Sequence, residues 1–451
     1  MTPAAPAVPT VPAGPPRVGY ACIALAVPGT ALASCTLRTA AAHPERLREA
    51  VAANLRALEG MARSNAADGL RMYRISSDLV PLATHPSRPI DLGEALGRTF
   101  AADLARIGGV FRDSGQRVSM HPGQYTVLNT PDPAVLARSA DDLAYHAAAL
   151  DALGTGCEAR IILHVGGGYG DKDAAKERFV RNFRTLPENV RCRLSVENDD
   201  RIFAPCDVLE VATALGIPAV YDNLHAALNP CGGDDASWTA RFAATWRPEH
   251  GPPKVHYSQQ APDRRNGSHS DAIRVAPFIA HLRALRASGS GVLPDAMLEV
   301  KDKNVSARRA SLAAEQLVRP DARNAVKRLE TEWARWKYRV LARSERDYDA
   351  IRRLLKDKAP ADPLDLVLRF SALVEGAAER PEDPGAEINA AEHVWGYFKA
   401  KAAPAERARF DAKIAAYRAG TATAPQLRAH LRRLAERFEE PYLLASYYFL
   451  D

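Results

Sequence analysis

The sequence predicts a (β/α)₈ TIM barrel followed by a separate all-α C-terminal domain, and two changes of residue pattern along the chain carry this prediction. From Val18 to about Gln316, short apolar runs alternate eight times with longer segments of helical periodicity. Past about Pro320 the apolar runs stop and only helical spacing continues. We therefore expect a Pro-rich disordered arm over residues 1–17, a barrel over 18–318 and a helical domain over 319–451.

The eight apolar runs are the predicted strands, and glycines end several of the helical segments between them. Gly69, Gly115, Gly154 and Gly216 stand where helices should stop, because glycine accepts the left-handed conformation of a helix C-terminus. A doubly wound sheet is the alternative, but no G-x-G-x-x-G follows the first run, so no nucleotide cofactor is expected. The runs cover residues 19–23, 72–75, 118–120, 161–164, 194–197, 219–222, 255–257 and 297–300.

The composition is typical of a soluble globular protein, with 47% hydrophobic and 25% charged residues among 451. The net charge of +6 allows a polyanionic partner without requiring one. Six cysteines show no C-x-x-C and no paired spacing, which argues against a zinc ribbon and a disulfide framework and favours a reducing cytoplasm. No stretch is long and apolar enough to span a bilayer, so we expect no membrane partner.

Residues of the kind that bind metals stand at the ends of six predicted strands, where a barrel carries its active site. Any one of them could be a buried polar residue satisfied by hydrogen bonds. Together, imidazoles and carboxylates without a thiolate suit Zn, Mn, Fe or Co. A catalytic zinc takes about three protein ligands, so this larger set predicts two or three ions bridged by carboxylates. Such a cluster generates metal-bound hydroxide and holds both oxygens of a phosphodiester. The predicted ligands are His121, His164, Glu197, Asp222, His225, His256, His269 and Glu299.

The pentapeptide His121-Pro122-Gly123-Gln124-Tyr125 places a predicted ligand beside two long side chains. Proline fixes its own φ and glycine permits unusual φ values, so the Pro-Gly pair predicts a turn. We expect this turn to direct His121, Gln124 and Tyr125 into one space.

Lys254 is two residues from His256 on one predicted strand, so both side chains should face the barrel interior. An ammonium group there would repel metal ions. One interpretation is a lysine paired with a nearby carboxylate or phosphate. The sharper hypothesis is a carboxylated lysine that binds or neutralises the cluster, which makes Lys254, with the ion-bridging Glu197, a predicted catalytic residue.

Several motifs resemble those of the UV-damage endonucleases: H-P-G-Q-Y (121–125), L-H-V-G-G (163–167), E-N-D (197–199), Y-D-x-L-H (221–225), K-V-H-Y-S (254–258) and L-E-V-K-D-K (298–303). The resemblance covers about residues 18–310. It implies a barrel with a cluster of up to three ions, usually Mn, with Zn, Co or Mg as alternatives. It also implies an enzyme that nicks double-stranded DNA on the 5′ side of UV photoproducts and other distorting lesions.

By the same resemblance, the eight predicted ligands match the family's metal ligands. Gln124 and Tyr125 match the pair that probes the lesion, and Tyr20 matches another residue on the lesion side. One departure is nearby, because Ile23-Ala24 stand where the family usually has Glu-Asn. A polar contact to DNA near Tyr20 is therefore in doubt. An enzyme of this class is expected in the cytoplasm, at the nucleoid.

The last 130 or so residues resemble the YbgA-like helical domains of unknown function, which implies no activity and leaves room for a protein partner. Three other functions stay open. An abasic-site endonuclease would have a similar ion cluster, but that family typically shows Asp-x-His where this chain has Gly267-Ser268-His269. A sugar isomerase on the same scaffold would need fewer ions and a closed pocket. A non-catalytic DNA-damage binding scaffold would not need an intact ligand set.

Overall fold

The computed structural model describes residues 14–288 and 293–450 and contains a closed barrel of eight parallel strands in chain order. The predicted fold class is confirmed. The predicted arm over residues 1–17 falls largely outside the described residues. The strands are β1 (Val18–Ala21), β2 (Met72–Ile75), β3 (Arg117–Met120), β4 (Arg160–His164), β5 (Leu194–Glu197), β6 (Ala219–Asp222), β7 (Lys254–Tyr257) and β8 (Asp295–Leu298).

The first and last strands differ most from the predicted runs. Strand β1 ends at Ala21 because Cys22 has a φ of 72°, a left-handed conformation that cannot continue an extended strand. Strand β8 begins at Asp295, two residues before the predicted run. This carboxylate accepts hydrogen bonds from the backbone N–H of Arg17 at 2.8 Å and from Nη1 of Arg117 at 2.9 Å. Because these partners allow a charged residue to be buried, hydrophobicity did not mark the start of β8.

Helices follow the strands, and the predicted glycine stops are where they end. Gly69 and Gly216 are C-caps with φ of 70° and 66°, and Gly115 and Gly154 have φ of 63° and 70°. The helices over the barrel region are α1 (Leu37–Ala42), α2 (Pro44–Asp68), α3 (Leu92–Glu94), α4 (Ala101–Asp113), α5 (Pro133–Ala152), α6 (Lys172–Phe183), α7 (Glu188–Arg191), α8 (Pro205–Leu215), α9 (Asn223–Leu228), α10 (Asp235–Ala243), α11 (Val275–Ala287) and α12 (Asn304–Val318).

Polar side chains fill much of the barrel interior towards the amino ends of the strands. Nζ of Lys254 donates to Oγ of Ser119 at 2.8 Å, and Nε of Arg160 donates to Oγ of Ser195 at 2.9 Å. All four residues are buried. Buried polar groups of this kind need hydrogen-bond partners, and here hydroxyls and backbone carbonyls supply them.

One disulfide is present, contrary to the expectation drawn from the cysteine spacing. Cys157 and Cys192 are bonded with their Cα atoms 5.5 Å apart. They are 35 residues apart in sequence but precede the neighbouring strands β4 and β5. Nη1 of Arg160 donates to the carbonyl oxygens of both, at 2.9 Å to Cys157 and 2.6 Å to Cys192. The two cysteines come together because β4 and β5 are neighbours in the barrel. Their spacing in the sequence does not show this.

The described residues form two compact units, the first within Met1–Ala24, Gly29–Ile273 and Phe278–Ala314 and the second within Leu25–Pro28, Arg274–Pro277 and Glu315–Asp451. The division in α12 lies a few residues before the boundary expected after Val318. No helix in the described ranges is long and apolar enough to cross a membrane. The helices of the second unit are α13 (Ala322–Leu341), α14 (Glu345–Leu354), α15 (Pro363–Glu379), α16 (Pro384–Trp395), α17 (Pro404–Arg418), α18 (Ala424–Arg437) and α19 (Pro441–Leu444).

The helical unit has its own core. Trp395 stacks on Phe410 with ring centroids 4.6 Å apart. A buried ion pair joins Glu387 of α16 to Arg428 of α18, and the hydroxyl of Tyr448 donates to Oε1 of Glu387 at 2.7 Å. The residues past about 320 are therefore a packed helical structure, as the sequence predicts.

Candidate metal centre

All eight predicted ligands lie at the carboxyl-terminal rim of the barrel, because parallel strands all end at one rim. Strand register makes some of them direct neighbours, since His164 pairs with Glu197 and Asp222 pairs with His256. Their positions are His121 after β3, His164 at the end of β4, Glu197 at the end of β5, Asp222 at the end of β6, His225 in α9, His256 in β7, His269 between β7 and α11, and Glu299 after β8.

Glu197 is the centre of this cluster, and its side chain is only 1% exposed. Nε2 of His121 is 3.0 Å from its Oε2, and Nδ1 of His256 is 2.7 Å from its Oε1. Nε2 of His164 lies 3.9 Å from Oε2, and Nδ1 of His225 lies 3.8 Å from Oε1. One buried carboxylate is therefore surrounded by four imidazoles from four different β-α units.

A second carboxylate, Glu299, extends the cluster towards β7 and β8. Its Oε1 is 3.4 Å from Nδ1 of His256, and its Oε2 is 3.8 Å from Nδ1 of His269. Arg74 of β2 forms an ion pair with Glu299. Although burial raises it, the positive charge of Arg74 holds the pKa of Glu299 well below its usual range.

The third carboxylate, Asp222, is the N-cap of α9. Its Oδ1 accepts a hydrogen bond from the backbone N–H of His225 at 2.8 Å. Its Oδ2 is buried and has no hydrogen-bond partner in the part of the chain that the structure describes. Burial, together with the negative charges of Glu197 and Glu299, raises the pKa of Asp222 to about 7. A cation beside Oδ2 would satisfy that atom and oppose the shift.

Two histidines also have a buried polar atom without a hydrogen-bond partner in the described part of the chain. Nδ1 of His164 and Nε2 of His256 are buried without a hydrogen-bond partner among residues 14–288 and 293–450. Buried polar atoms are nearly always paired, so these atoms indicate a missing partner. Burial lowers the pKa of His256 to about 4 and also lowers that of His164. Both rings are therefore neutral at pH 7, which is the form that binds a metal.

Among residues 14–288 and 293–450, two groups of three side chains have ligand atoms that all lie within 4.8 Å of one another. Glu197 belongs to both groups. The donors are imidazole nitrogens and carboxylate oxygens, a set that suits Mn, Zn, Fe or Co. The residues therefore fit divalent ions. The groups are His121, Glu197 and His256, and Glu197, Asp222 and His225.

A turn follows β3, but its central residues are Gln124 and Tyr125 rather than the predicted Pro122-Gly123 pair. The backbone N–H of Thr126 donates to the carbonyl oxygen of Gly123 at 3.0 Å, which closes the turn. Gln124 and Tyr125 are exposed at its tip, and Tyr125 is 83% exposed. An exposed aromatic side chain beside a ligand-bearing rim is available to a macromolecular partner.

Tyr20 is not available to DNA in this structure, so its predicted role is corrected. The side chain is fully buried, and its hydroxyl donates to Oδ1 of Asn65 on α2 at 2.8 Å. Successive side chains of a strand point to opposite faces, and Tyr20 of β1 points outward to the helix layer. Its ring packs against Tyr73, with centroids 5.2 Å apart.

Lys254 is buried in the barrel interior, as predicted, but it forms no ion pair within the described ranges. Its ammonium contacts the hydroxyl of Ser119. Burial and the positive charges of Arg117 and Arg74 hold the pKa of Lys254 well below its usual range. Pairing with a carboxylate, one of the two interpretations of this lysine, is not observed.

Two residues near the cluster were not predicted as site residues. Arg74 pairs with Glu299, and Asn198 holds Asp222 by two hydrogen bonds, accepting from its backbone N–H at 2.9 Å and donating to its carbonyl oxygen at 3.0 Å. Asn198 lies in the quoted E-N-D motif (197–199). An arginine on an otherwise apolar strand was the available signal for Arg74.

The fold and the site define a (β/α)₈-barrel protein with a histidine–carboxylate cluster on the rim where such barrels carry their chemistry. A family model described as UV-endonuclease UvdE matches residues 16–333, and one described as a protein of unknown function (DUF1722) matches residues 337–451. The first match covers well over half of the chain. The chain belongs to the UV-endonuclease UvdE family.

Individual relatives agree with this assignment. The UV DNA damage endonuclease of Clostridium perfringens (strain 13 / Type A) is 40% identical over 259 residues, which cover 56% of this chain and 60% of that protein. That of Bacillus pumilus (strain SAFR-032) is 35% identical over 236 residues, covering 52% of this chain and 71% of that protein. The crystal structure of SacUVDE has a TM-score of 0.61 and 32% identity, covering 67% of this chain and 98% of that chain. The chain spans less than two thirds of the length of the Clostridium relative.

Proposed function

We propose that this protein is a metal-dependent DNA repair endonuclease that nicks the phosphodiester backbone 5′ to UV photoproducts and other helix-distorting lesions. The observation that carries the proposal is the buried carboxylate of Glu197, which lies within reach of four imidazoles on the rim. Membership of the UV-endonuclease UvdE family supports the choice of DNA as substrate. Acting on damaged chromosomal DNA, the protein would work at the nucleoid.

Eight side chains would hold two or three divalent ions, with manganese as the first candidate and zinc, cobalt or magnesium as alternatives. Bound ions of this kind supply an activated water at neutral pH and neutralise charge on the attacked phosphate. Glu197 would bridge two ions, since it belongs to both groups of converging ligands. The holding residues are His121, His164, Glu197, Asp222, His225, His256, His269 and Glu299.

Other residues of the chain position these ligands. Asn198 fixes the backbone of Asp222, and Arg74 orients Glu299. Neighbours that hydrogen-bond to ligands in this way fix their orientation and basicity. Carboxylation of Lys254 would place an anion two residues from His256 and so favour ion binding. The alternative is an unmodified neutral amine held by Ser119.

Gln124 and Tyr125 would read the lesion. A damaged base pair is poorly stacked, so turning it out of the duplex costs less than flipping normal bases. The exposed ring of Tyr125 would stack on bases next to the vacated space, and Gln124 would hydrogen-bond to the orphaned partners. The helical unit, whose matching family has no described function, would recruit a protein partner or tune binding rather than cut.

Nicking of supercoiled plasmid tests the function. We expect the purified protein with Mn²⁺ to nick ultraviolet-irradiated plasmid and to spare the unirradiated plasmid. An abasic-site endonuclease would instead nick plasmid with abasic sites. A scaffold would bind irradiated plasmid without nicking, and a sugar isomerase would do neither. Mapping the nick to the 5′ side of a single defined photoproduct tests the position of cleavage.

A further inference from the structure

A second aromatic side chain is exposed on the same rim, in the loop between β4 and α6. Within the described ranges, three large hydrophobic side chains are exposed, namely Leu37, Tyr125 and Tyr169. Tyr169 is 48% exposed and comes five residues after the predicted ligand His164. Because loops after neighbouring strands are adjacent on a barrel rim, the loops that carry Tyr125 and Tyr169 are neighbours.

The backbone at Tyr169 is strained, with a φ of 50°. For a bulky side chain this left-handed conformation is an outlier, and glycine or asparagine accepts it more easily. Such residues persist where the surroundings hold them, and they cluster at functional sites. The backbone conformation therefore disfavours tyrosine at this position. A function of the aromatic side chain would explain why tyrosine stands here instead of glycine or asparagine.

The ring of Tyr169 is held in place by two neighbours. The guanidinium of Arg178 lies 5.5 Å from the ring centroid, a cation–π contact. A Cβ atom added to Gly167 would come within 3.0 Å of the ring, so the ring packs closely on this backbone. Nε of Arg178 in turn donates to the carbonyl oxygen of Asn129 at 2.9 Å. The aromatic side chain is thus fixed in a position where about half of its surface faces solvent.

Asn129 also ties this loop to the loop that carries Gln124 and Tyr125. Nδ2 of Asn129 donates to the carbonyl oxygen of Gly167 at 2.7 Å. Gly166 has a φ of 113°, and a Cβ there would meet Oδ1 of Asn129 at 2.4 Å. Only glycine fits this close approach. Both exposed tyrosines are therefore presented by one connected pair of loops.

We propose that Tyr169 is a second DNA-contacting residue that packs on a base or deoxyribose flanking the lesion. The proposal rests on the proposed function. The ring of Tyr169 is fixed and about half covered, which suits packing against the surface of an undistorted duplex. The more exposed Tyr125 suits insertion into the base stack. Tyr169 thereby contributes affinity for duplex DNA in general, and Gln124 with Tyr125 contributes the preference for damage.

The test uses the full-length, metal-loaded protein and its Tyr169→Asn and Tyr169→Phe variants. Binding to irradiated and unirradiated duplexes is measured at fixed salt, together with KM, kcat, metal content and Tm. We expect Tyr169→Asn to weaken binding to both duplexes by about fivefold or more, since aromatic contacts with bases have effects of this size. KM should rise while kcat and metal content stay unchanged. Tyr169→Phe keeps the ring and should bind as the wild type does.

Thermal stability separates a contact with DNA from a structural role. Asparagine accepts the left-handed conformation, so Tyr169→Asn should keep or raise the Tm while DNA affinity falls. A lower Tm with unchanged affinity would overturn the proposal, as would a loss confined to irradiated duplex. Wild-type protein that neither binds nor nicks irradiated DNA would refute the proposed function as well. Active wild-type protein with an equally active Tyr169→Asn variant would refute only the role of Tyr169.

Discussion

Nδ1 of His256 lies 2.7 Å from Oε1 of Glu197, and the opposite oxygen of the same carboxylate lies 3.0 Å from Nε2 of His121. The carboxylate thus joins residues that enter the rim from β3, β5 and β7. An amide in its place would keep the size of the side chain but would lose the negative charge that the proposed ions require.

Glu197→Gln should therefore abolish incision while binding of damaged duplex is largely retained, because the exposed probe loop is untouched. Nicking of irradiated plasmid and metal analysis of the purified variant measure the two effects. Glu177→Gln, an exposed change on α6, is the matched control and should behave as wild type. Normal turnover of Glu197→Gln with unchanged metal content would refute the proposed cluster.

Removal of metal should inactivate the protein and lower its thermal stability. Three carboxylates, of which Glu197 and Asp222 are buried, then share one rim without cations, and Oδ2 of Asp222 is left unsatisfied. Dialysis against a chelator followed by addition of Mn²⁺, Zn²⁺, Co²⁺ or Mg²⁺ should restore both properties, with Mn²⁺ restoring the most activity. Full activity of protein that metal analysis shows to contain no metal would contradict the prediction.

The double substitution Gln124→Ala with Tyr125→Ala should weaken the preference for damaged over undamaged duplex by about tenfold or more, because loss of about 1.4 kcal/mol of stacking gives a factor of ten. Metal content should stay normal, since neither side chain contacts a predicted ligand among the described contacts. Competition binding at fixed salt measures the preference. An unchanged preference would show that recognition lies elsewhere on the rim.

Carboxylation of Lys254 predicts a mass increase of one carbon dioxide in native mass spectrometry and a dependence of activity on bicarbonate. Depleting carbon dioxide should lower nicking, and adding bicarbonate should restore it. Lys254→Ala should be inactive and insensitive to bicarbonate. A wild-type protein of unmodified mass whose activity ignores bicarbonate would favour the neutral amine held by Ser119.

Glu387→Ala should destabilise the helical unit by about 3–5 kcal/mol, because it leaves the largely buried guanidinium of Arg428 without its partner. The hydroxyl of Tyr448 loses its acceptor in the same change. Thermal unfolding followed by circular dichroism should show an earlier transition. Glu392→Ala, an exposed change on the same helix, is the control, and equal stability of the two variants would contradict the prediction.

The barrel and its ligand-bearing rim can be predicted from the sequence because both follow from local residue patterns. Alternation of apolar runs and helical segments marks strand ends, and parallel topology brings those ends together. The positions of His164 and Glu197 could thus be predicted without knowing any distance between them. What a strand-end pattern cannot supply is the partner of each atom, such as the contact of Lys254 with Ser119 on β3.

The remaining differences have physical causes that sequence patterns conceal. The burial of Tyr20 depends on which face of β1 meets α2, and a one-residue change of phase reverses that face. The positive φ of Tyr169 and the contact of its ring with Arg178 belong to a loop. Neither the phase of a strand nor the conformation of a loop leaves a periodic signal in the chain.

The bond between Cys157 and Cys192 lies before β4 and β5, at the end of the barrel opposite to the rim. In such barrels the amino-terminal face serves stability and the carboxyl-terminal face serves chemistry. Reduction of this bond should shorten the working life of the protein at elevated temperature, while each surviving molecule turns over at its normal rate. The redox conditions of the surroundings would thus affect the lifetime of the folded protein without changing its turnover rate.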